Sequence, residues 1–137
     1  MDDRLSPREQ ERRKRLSDRA RATVIQTYPI LDEDETSVTL GYNGFYLQIA
    51  FSECHPLMVF YLARGMERTN SSKDRRLLNE LNLHSVLGSR ALNGEVGCYS
   101  YRAAHWIDAE LTTHRLSEIL GRCADEAERG YARLAQA

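Results

Sequence analysis

A chain of 137 residues is the size of one ordinary domain. With 42% apolar residues it can fill one core, and with 28% charged residues it can keep that core in solution. The 20 Asp and Glu nearly cancel the 19 Lys and Arg, which argues against a dedicated nucleic-acid binder and against wholesale disorder.

The first stretch, MDDRLSPREQERRKRLSDR, has no apolar run of a secretory signal. The longest apolar run, Leu57–Ala63, falls far short of the roughly 20 residues that cross a bilayer. The expectation is a cytoplasmic protein, a single α+β domain over residues 1–137, with 1–15 as a projecting basic helical arm.

Ser6-Pro7-Arg8-Glu9 combines an N-cap serine, a proline at the first helical position and a glutamate three residues on. The predicted helix runs to about Thr27, because Pro29 disfavours helical geometry at Tyr28. Its apolar positions, Leu16, Ala20, Val24 and Ile25, come late, so its first turns bury nothing obvious. Asp32–Glu35 reads as a solvated acidic loop. Ser37–Gly41 then alternates with period 2, Asn43-Gly44 marks a hairpin, and Phe45–Phe51 places Phe45, Leu47, Ile49 and Phe51 on one face. Leu57–Ala63 is apolar on both faces and is expected to be a central strand covered on both sides.

Asn70-Ser71-Ser72 caps a short helix from Lys73 to about Leu83. Two further strands, Ser85–Leu92 and Glu95–Ala104, flank Asn93-Gly94, a second hairpin signal. Thr112 or Thr113 caps a long final helix, with Leu116, Ile119, Leu120, Cys123, Ala127, Tyr131 and Leu134 at helical spacing. The order α-β-β-β-α-β-β-α predicts an α+β fold, a five-stranded antiparallel sheet with three helices.

The residues contain no reaction motif. Cys54, Cys98 and Cys123 are odd in number and widely spaced, which fits neither a disulfide framework nor a zinc site. Adjacent Cys54 and His55 point apart on a strand or turn, a poor metal clip. His55, His84, His105 and His114 are scattered outside any nucleophile context. Asp108 and Glu110 read as loop charges rather than a catalytic pair. The eight glycines form no phosphate-binding loop; Gly88 and Gly97 lie within strand pattern, where glycine marks a bulge or a close backbone approach. No catalytic residue, metal or cofactor is therefore expected.

Residues 1–23 carry eight basic and five acidic groups, and Arg12, Arg13, Lys14 and Arg15 form a basic arm. Interleaved Glu9, Glu11 and Asp18, with Glu11 and Arg15 at helix-supporting spacing, favour a self-paired solvated face over a nucleic-acid footprint. The aromatics cluster on the strands. Core packing accounts for most of them, but the candidates for a peptide-binding groove are Tyr46, Phe60, Tyr99, Tyr101 and Trp106.

Leu78-Asn79-Glu80-Leu81-Asn82 on the middle helix, Leu92-Asn93-Gly94-Glu95 leading into the last strand, and Leu111-Thr112-Thr113 opening a helix that carries Tyr131 are similar to the YbjN-like family. This resemblance covers about Leu77 to Leu134. The element order as a whole resembles the class I type III secretion chaperones, which share that fold. The resemblance implies a small cytoplasmic homodimer that binds a peptide segment of a partner protein, without a catalytic centre. Asn79 and Asn82 have a structural reading beside the family one: amides near a helix C-terminus can satisfy backbone groups as the chain turns into a strand. The expected function is a chaperone-like or adaptor module. The alternative is a small-molecule or signal-sensing regulatory domain.

Overall fold

Ser6 starts the first helix as its sequence predicts, accepting the Glu9 backbone N–H on its side-chain oxygen at 3.1 Å with Pro7 beside it. In the computed structural model, which describes residues 6–52, 55–67, 71–108 and 111–136, helix α1 spans Pro7–Thr27. Strands β1 (Asp32–Glu33), β2 (Ser37–Tyr42), β3 (Phe45–Phe51) and β4 (Leu57–Gly65) follow. Then come α2 (Ser72–Leu83), β5 (Gly88–Asn93), β6 (Cys98–Trp106) and α3 (Thr113–Gln136). Thr112 is the residue that caps α3, accepting the Arg115 N–H at 3.1 Å.

The sheet is antiparallel with strand order β1-β2-β3-β4-β6-β5. It has six strands rather than the expected five. The extra one is the acidic stretch read as a loop: Asp32 and Glu33 pair with Thr39 and Val38, and both stay exposed. The first hairpin turns on Asn43 and Gly44, both at positive φ, the two-residue turn that Asn-Gly favours. The second hairpin is wider than expected. Asn93 stays in β5 opposite Cys98, its side chain accepts the Glu95 N–H, and Gly97 supplies the positive φ that closes a four-residue loop.

One face of the sheet is the core. In register across the strands, Leu40, Leu47, Leu62 and Tyr101 form one buried row, and Val38, Ile49, Phe60 and Ala103 form the next. Helix α1 adds Leu16, Ala20 and Val24, and α3 adds Leu116, Leu120, Cys123, Ala127 and Leu134. Each fully buried large apolar side chain stabilises the fold by about 1.5–3 kcal/mol. Both helices therefore lie on the same side. Helix α2 packs along β5 and against α3, half-burying Leu77, Leu78 and Leu81.

Strand β4 is central, between β3 and β6, as its apolar run predicts. It is not covered on both sides. Met58, Phe60 and Leu62 are buried, whereas Tyr61 is exposed and Val59 only half-buried.

Candidate functional site

The uncovered face of the sheet is built by period-2 alternation: every strand that sends large apolar side chains inward sends its intervening residues out. Registered across the sheet, one outward row reads Gly41, Tyr46, Ala63, Ser100 and Ala91, and the next Thr39, Gln48, Tyr61, Arg102 and Ser89. A third places Ala50 beside Val59 and Ala104, and Leu57 lies opposite Trp106. Small residues thus separate three aromatics. Tyr46 is 69% exposed, Trp106 68% and Tyr61 38%.

Over the outward positions of β2 to β6, Arg102 is the only charged side chain, although 28% of the chain is charged. Arg102 lies on Tyr61: its Nε donates to the Tyr61 hydroxyl at 3.4 Å, and the guanidinium carbon is 5.7 Å from the ring centre. The His55 ring meets Trp106 edge-on at 6.4 Å. Strand spacing and rise give this face an area of roughly 600 Å², close to the about 800 Å² per partner of a standard interface.

The β5 edge, by contrast, is closed. The Asn82 side chain accepts the Arg90 backbone N–H at 2.8 Å and donates to the Arg90 carbonyl at 2.9 Å, as a neighbouring strand would. The Glu126 carboxylate accepts the Gly88 N–H at 2.9 Å, together with Val86 and Leu87 N–H at 2.8 and 3.1 Å and the Tyr101 hydroxyl at 2.7 Å. These bonds explain why β5 begins at Gly88 and not at Ser85: the amides of 86–88 turn toward α3. Arg90, itself buried, donates to the Leu81 carbonyl, the Ser85 hydroxyl and the Glu126 carbonyl. Burial pushes the Glu126 carboxyl up, but the donors converging on it outweigh burial and hold it below the usual range. Burial also pushes Tyr99 up to about 12, and burial together with the bond to Glu126 pushes Tyr101 up further.

The five groove candidates therefore divide. Tyr46 and Trp106 lie on the open face. Phe60, Tyr99 and Tyr101, each 0% exposed, belong to the core and offer no surface to a partner. Strand parity separates them, and Tyr61, which sequence reading left out of the groove, joins the open face. Of the two asparagines, Asn82 bonds β5 while Asn79 is exposed. Glu126 and Arg90 were missed. The signal for Glu126 was its place three residues after Cys123, on the buried stripe of α3.

In the arm, Glu9 rather than Glu11 makes the pairs, holding Arg12 at 2.8 Å and Arg13 at 3.0 Å. Those two bonds pull its carboxyl down to about 2. Lys14 and Arg15 are exposed. Residues 1–5 of the arm, Asn70, Cys54 of the Cys-His pair and Glu110 of the carboxylate pair lie outside the described residues; Asp108 ion-pairs Arg115 at 3.3 Å.

Chemically, the nearest approach to a nucleophile and base is Cys123 Sγ to His105 Nε2 at 3.8 Å. Burial raises the thiol to about 11 and lowers the imidazole, and Cys123 is fully buried, the setting of an unreactive thiol. Among the described residues no group of three or more His, Cys, Asp or Glu could hold a metal. Among them also, no helix is long and apolar enough to cross a membrane.

Comparison with known proteins gives both a family and a fold. No curated protein matches the sequence. The crystal structure of YbjN from E. coli, a "putative transcription regulator", superposes with a TM-score of 0.63 at 10% identity, over 88% of this chain and 89% of that one. The ExsC–ExsE complex gives 0.60 at 17% identity, over 87% and 90%. The Yersinia pestis type III secretion chaperone SycH, in complex with a stable fragment of YscM2, gives 0.54 at 17% identity, over 85% and 98%. The fold is thus that of the secretion chaperones and of YbjN. The family model described as "Putative bacterial sensory transduction regulator" matches residues 14–136, so the chain belongs to the YbjN family.

Proposed function

We propose that this chain is a non-enzymatic protein-binding module, chaperone-like or adaptor-like, that acts in the cytoplasm as a homodimer and takes a peptide segment of a partner protein on the open face of its sheet. The observation that supports this most directly is the near-absence of charge on that face. A sheet surface evolved only for solvent would carry several Lys, Glu or Arg among its outward positions, whereas β2 to β6 carry Arg102 alone, stacked on Tyr61, and the one other outward charge, Asp32, lies on the short edge strand β1. Tyr46, Tyr61 and Trp106 are rings with polar tips that suit a half-wet interface, and the alanines between them leave room for a partner's side chains. Strand addition at β5 is disfavoured along Gly88–Arg90, where Asn82 occupies the Arg90 backbone groups and Glu126 the Gly88 N–H.

The structural neighbours solved with partner proteins support the same reading. The family description, a sensory transduction regulator, fits a protein whose output is a contact with another protein.

The test is affinity purification of the tagged protein from its native cell, comparing wild type with Tyr46→Ala and Tyr61→Ala, followed by reconstitution with the purified partner. A discrete partner lost in both variants is expected, with Trp106, the single tryptophan, shifting its emission to the blue on binding. The same sparse partners for all three proteins would overturn the reading. Sedimentation equilibrium at micromolar concentration is expected to give a dimer, and a strict monomer would remove the homodimer.

A further inference from the structure

Away from the open sheet face, α2 and α3 enclose a shallow groove of about 420 Å³ lined by Lys73, Arg76, Leu77, Glu80, Arg133 and Gln136. Three cations share it with one carboxylate. Some helix charges pair within their own helix, as in Arg12 with Glu9 and Arg122 with Glu118. Lys73, Arg76 and Arg133 have no ion-pair partner among the described residues.

Folding explains only one of the three. Arg133 lies in the last turn of α3, where a cation favours the helix dipole. Lys73 stands in the first turn of α2, the positive end of that helix, where a cation is unfavourable, and Arg76 lies one turn on, where the dipole gives it no support. All three line the groove, with the half-buried Leu77 between them and Glu80 as the one carboxylate.

We propose that this groove takes a short acidic segment of a partner protein, with carboxylates against Lys73, Arg76 and Arg133 and an apolar side chain against Leu77. Lys73 to Glu80 spans about 10 Å along the helix, the reach of about three extended residues. A small phosphate compound fits less well. Its sites are concave and bury most of the ligand, while the polar side chains here are all exposed, and each one ordered for a single small anion loses conformational freedom. A segment that touches all three at once offsets that cost, and electrostatic steering speeds its arrival.

The test uses a fluorescein-labelled peptide of five glutamates and one central leucine, with anisotropy read on the full chain. Saturable binding is expected, weakened at least tenfold by Lys73→Glu or Arg133→Glu and several-fold on raising salt from about 50 to 200 mM. The charge-matched Arg8→Glu on α1 should leave binding unchanged. Tyr46→Ala should also leave it unchanged, so this site and the sheet face can fail separately. Absence of binding at low salt overturns the proposal, as does binding indifferent to Lys73→Glu and Arg133→Glu. Displacement by an equal concentration of inorganic pyrophosphate would overturn it in favour of a small phosphate ligand. Circular dichroism of each variant verifies that it is folded before its binding is scored.

Discussion

The side-chain amide of Asn82 exchanges two hydrogen bonds, of 2.8 and 2.9 Å, with the backbone of Arg90. A residue at the end of a helix thereby takes the place of a seventh strand, and the sheet edge that would otherwise template pairing with another chain is blocked there.

Asn82→Ala should cost about 1–3 kcal/mol, because it strands a backbone donor and acceptor beside a buried residue. Urea denaturation measures that loss. Asn82→Asp keeps the acceptor for the Arg90 N–H but loses the donor for its carbonyl, so it should fall between. Light scattering of the alanine variant is expected to rise with concentration as the freed edge pairs; stability equal to wild type would remove the edge-sealing role.

Glu126 makes the fold acid-sensitive in a defined direction. Its folded carboxyl lies below the ordinary value, so the stability it contributes is complete above about pH 4.3, the unfolded value, and is lost as pH falls through the folded one. Thermal melts from pH 7 down to pH 3 should therefore show falling stability in the acid range, and Glu126→Gln should flatten that fall while lowering stability at pH 7. Some slope will remain, since Glu9 and Asp34 are also held low. An unchanged profile in Glu126→Gln would show that the carboxylate does not anchor 86–88.

Two glycines of α3 should respond to alanine with opposite signs. A methyl at Gly130 would run into the Arg90 guanidinium and lie 2.6 Å from the Tyr99 hydroxyl, displacing the buried network. A methyl at Gly121 meets only the Tyr42 hydroxyl, at 3.9 Å. Gly121→Ala should thus gain about 1 kcal/mol of helix propensity, while Gly130→Ala should lose stability despite the same propensity. Melting temperatures of the pair decide the matter.

Cys123 is fully buried with its thiol raised to about 11, whereas Cys98 is half-buried. Mass-spectrometric mapping of iodoacetamide adducts at pH 8 should find Cys98 modified within minutes and Cys123 modified only at the unfolding rate. Rapid alkylation of Cys123 in the folded protein would contradict its place in the core.

Local signals made most of the elements legible. Ser6-Pro7 and the threonine before α3 specify helix starts through hydrogen bonds within a few residues, and Asn43-Gly44 specifies a turn through its own backbone angles. The strand start at Gly88 was less legible, because it depends on a carboxylate 38 residues further along the chain. The candidate site was only partly readable. Alternation says that Tyr99 and Tyr101 point the same way and that Ser100 points the other, but not which way is inward.

By itself, then, the sequence determined the order of the elements, the antiparallel hairpins, the apolar stripe of α3 and the absence of a reaction motif, since each of these follows from spacing along one short segment. Tertiary structure decided the rest. Placing both α1 and α3 on one side of the sheet buried Phe60, Tyr99 and Tyr101, and left Tyr46, Tyr61 and Trp106 on an open face. Folding β5 against α2 and α3 brought Asn82 and Glu126 onto a strand edge that neither is near in sequence. Which face is covered and which edge is sealed depends on contacts between distant segments, and no local periodicity carries that information.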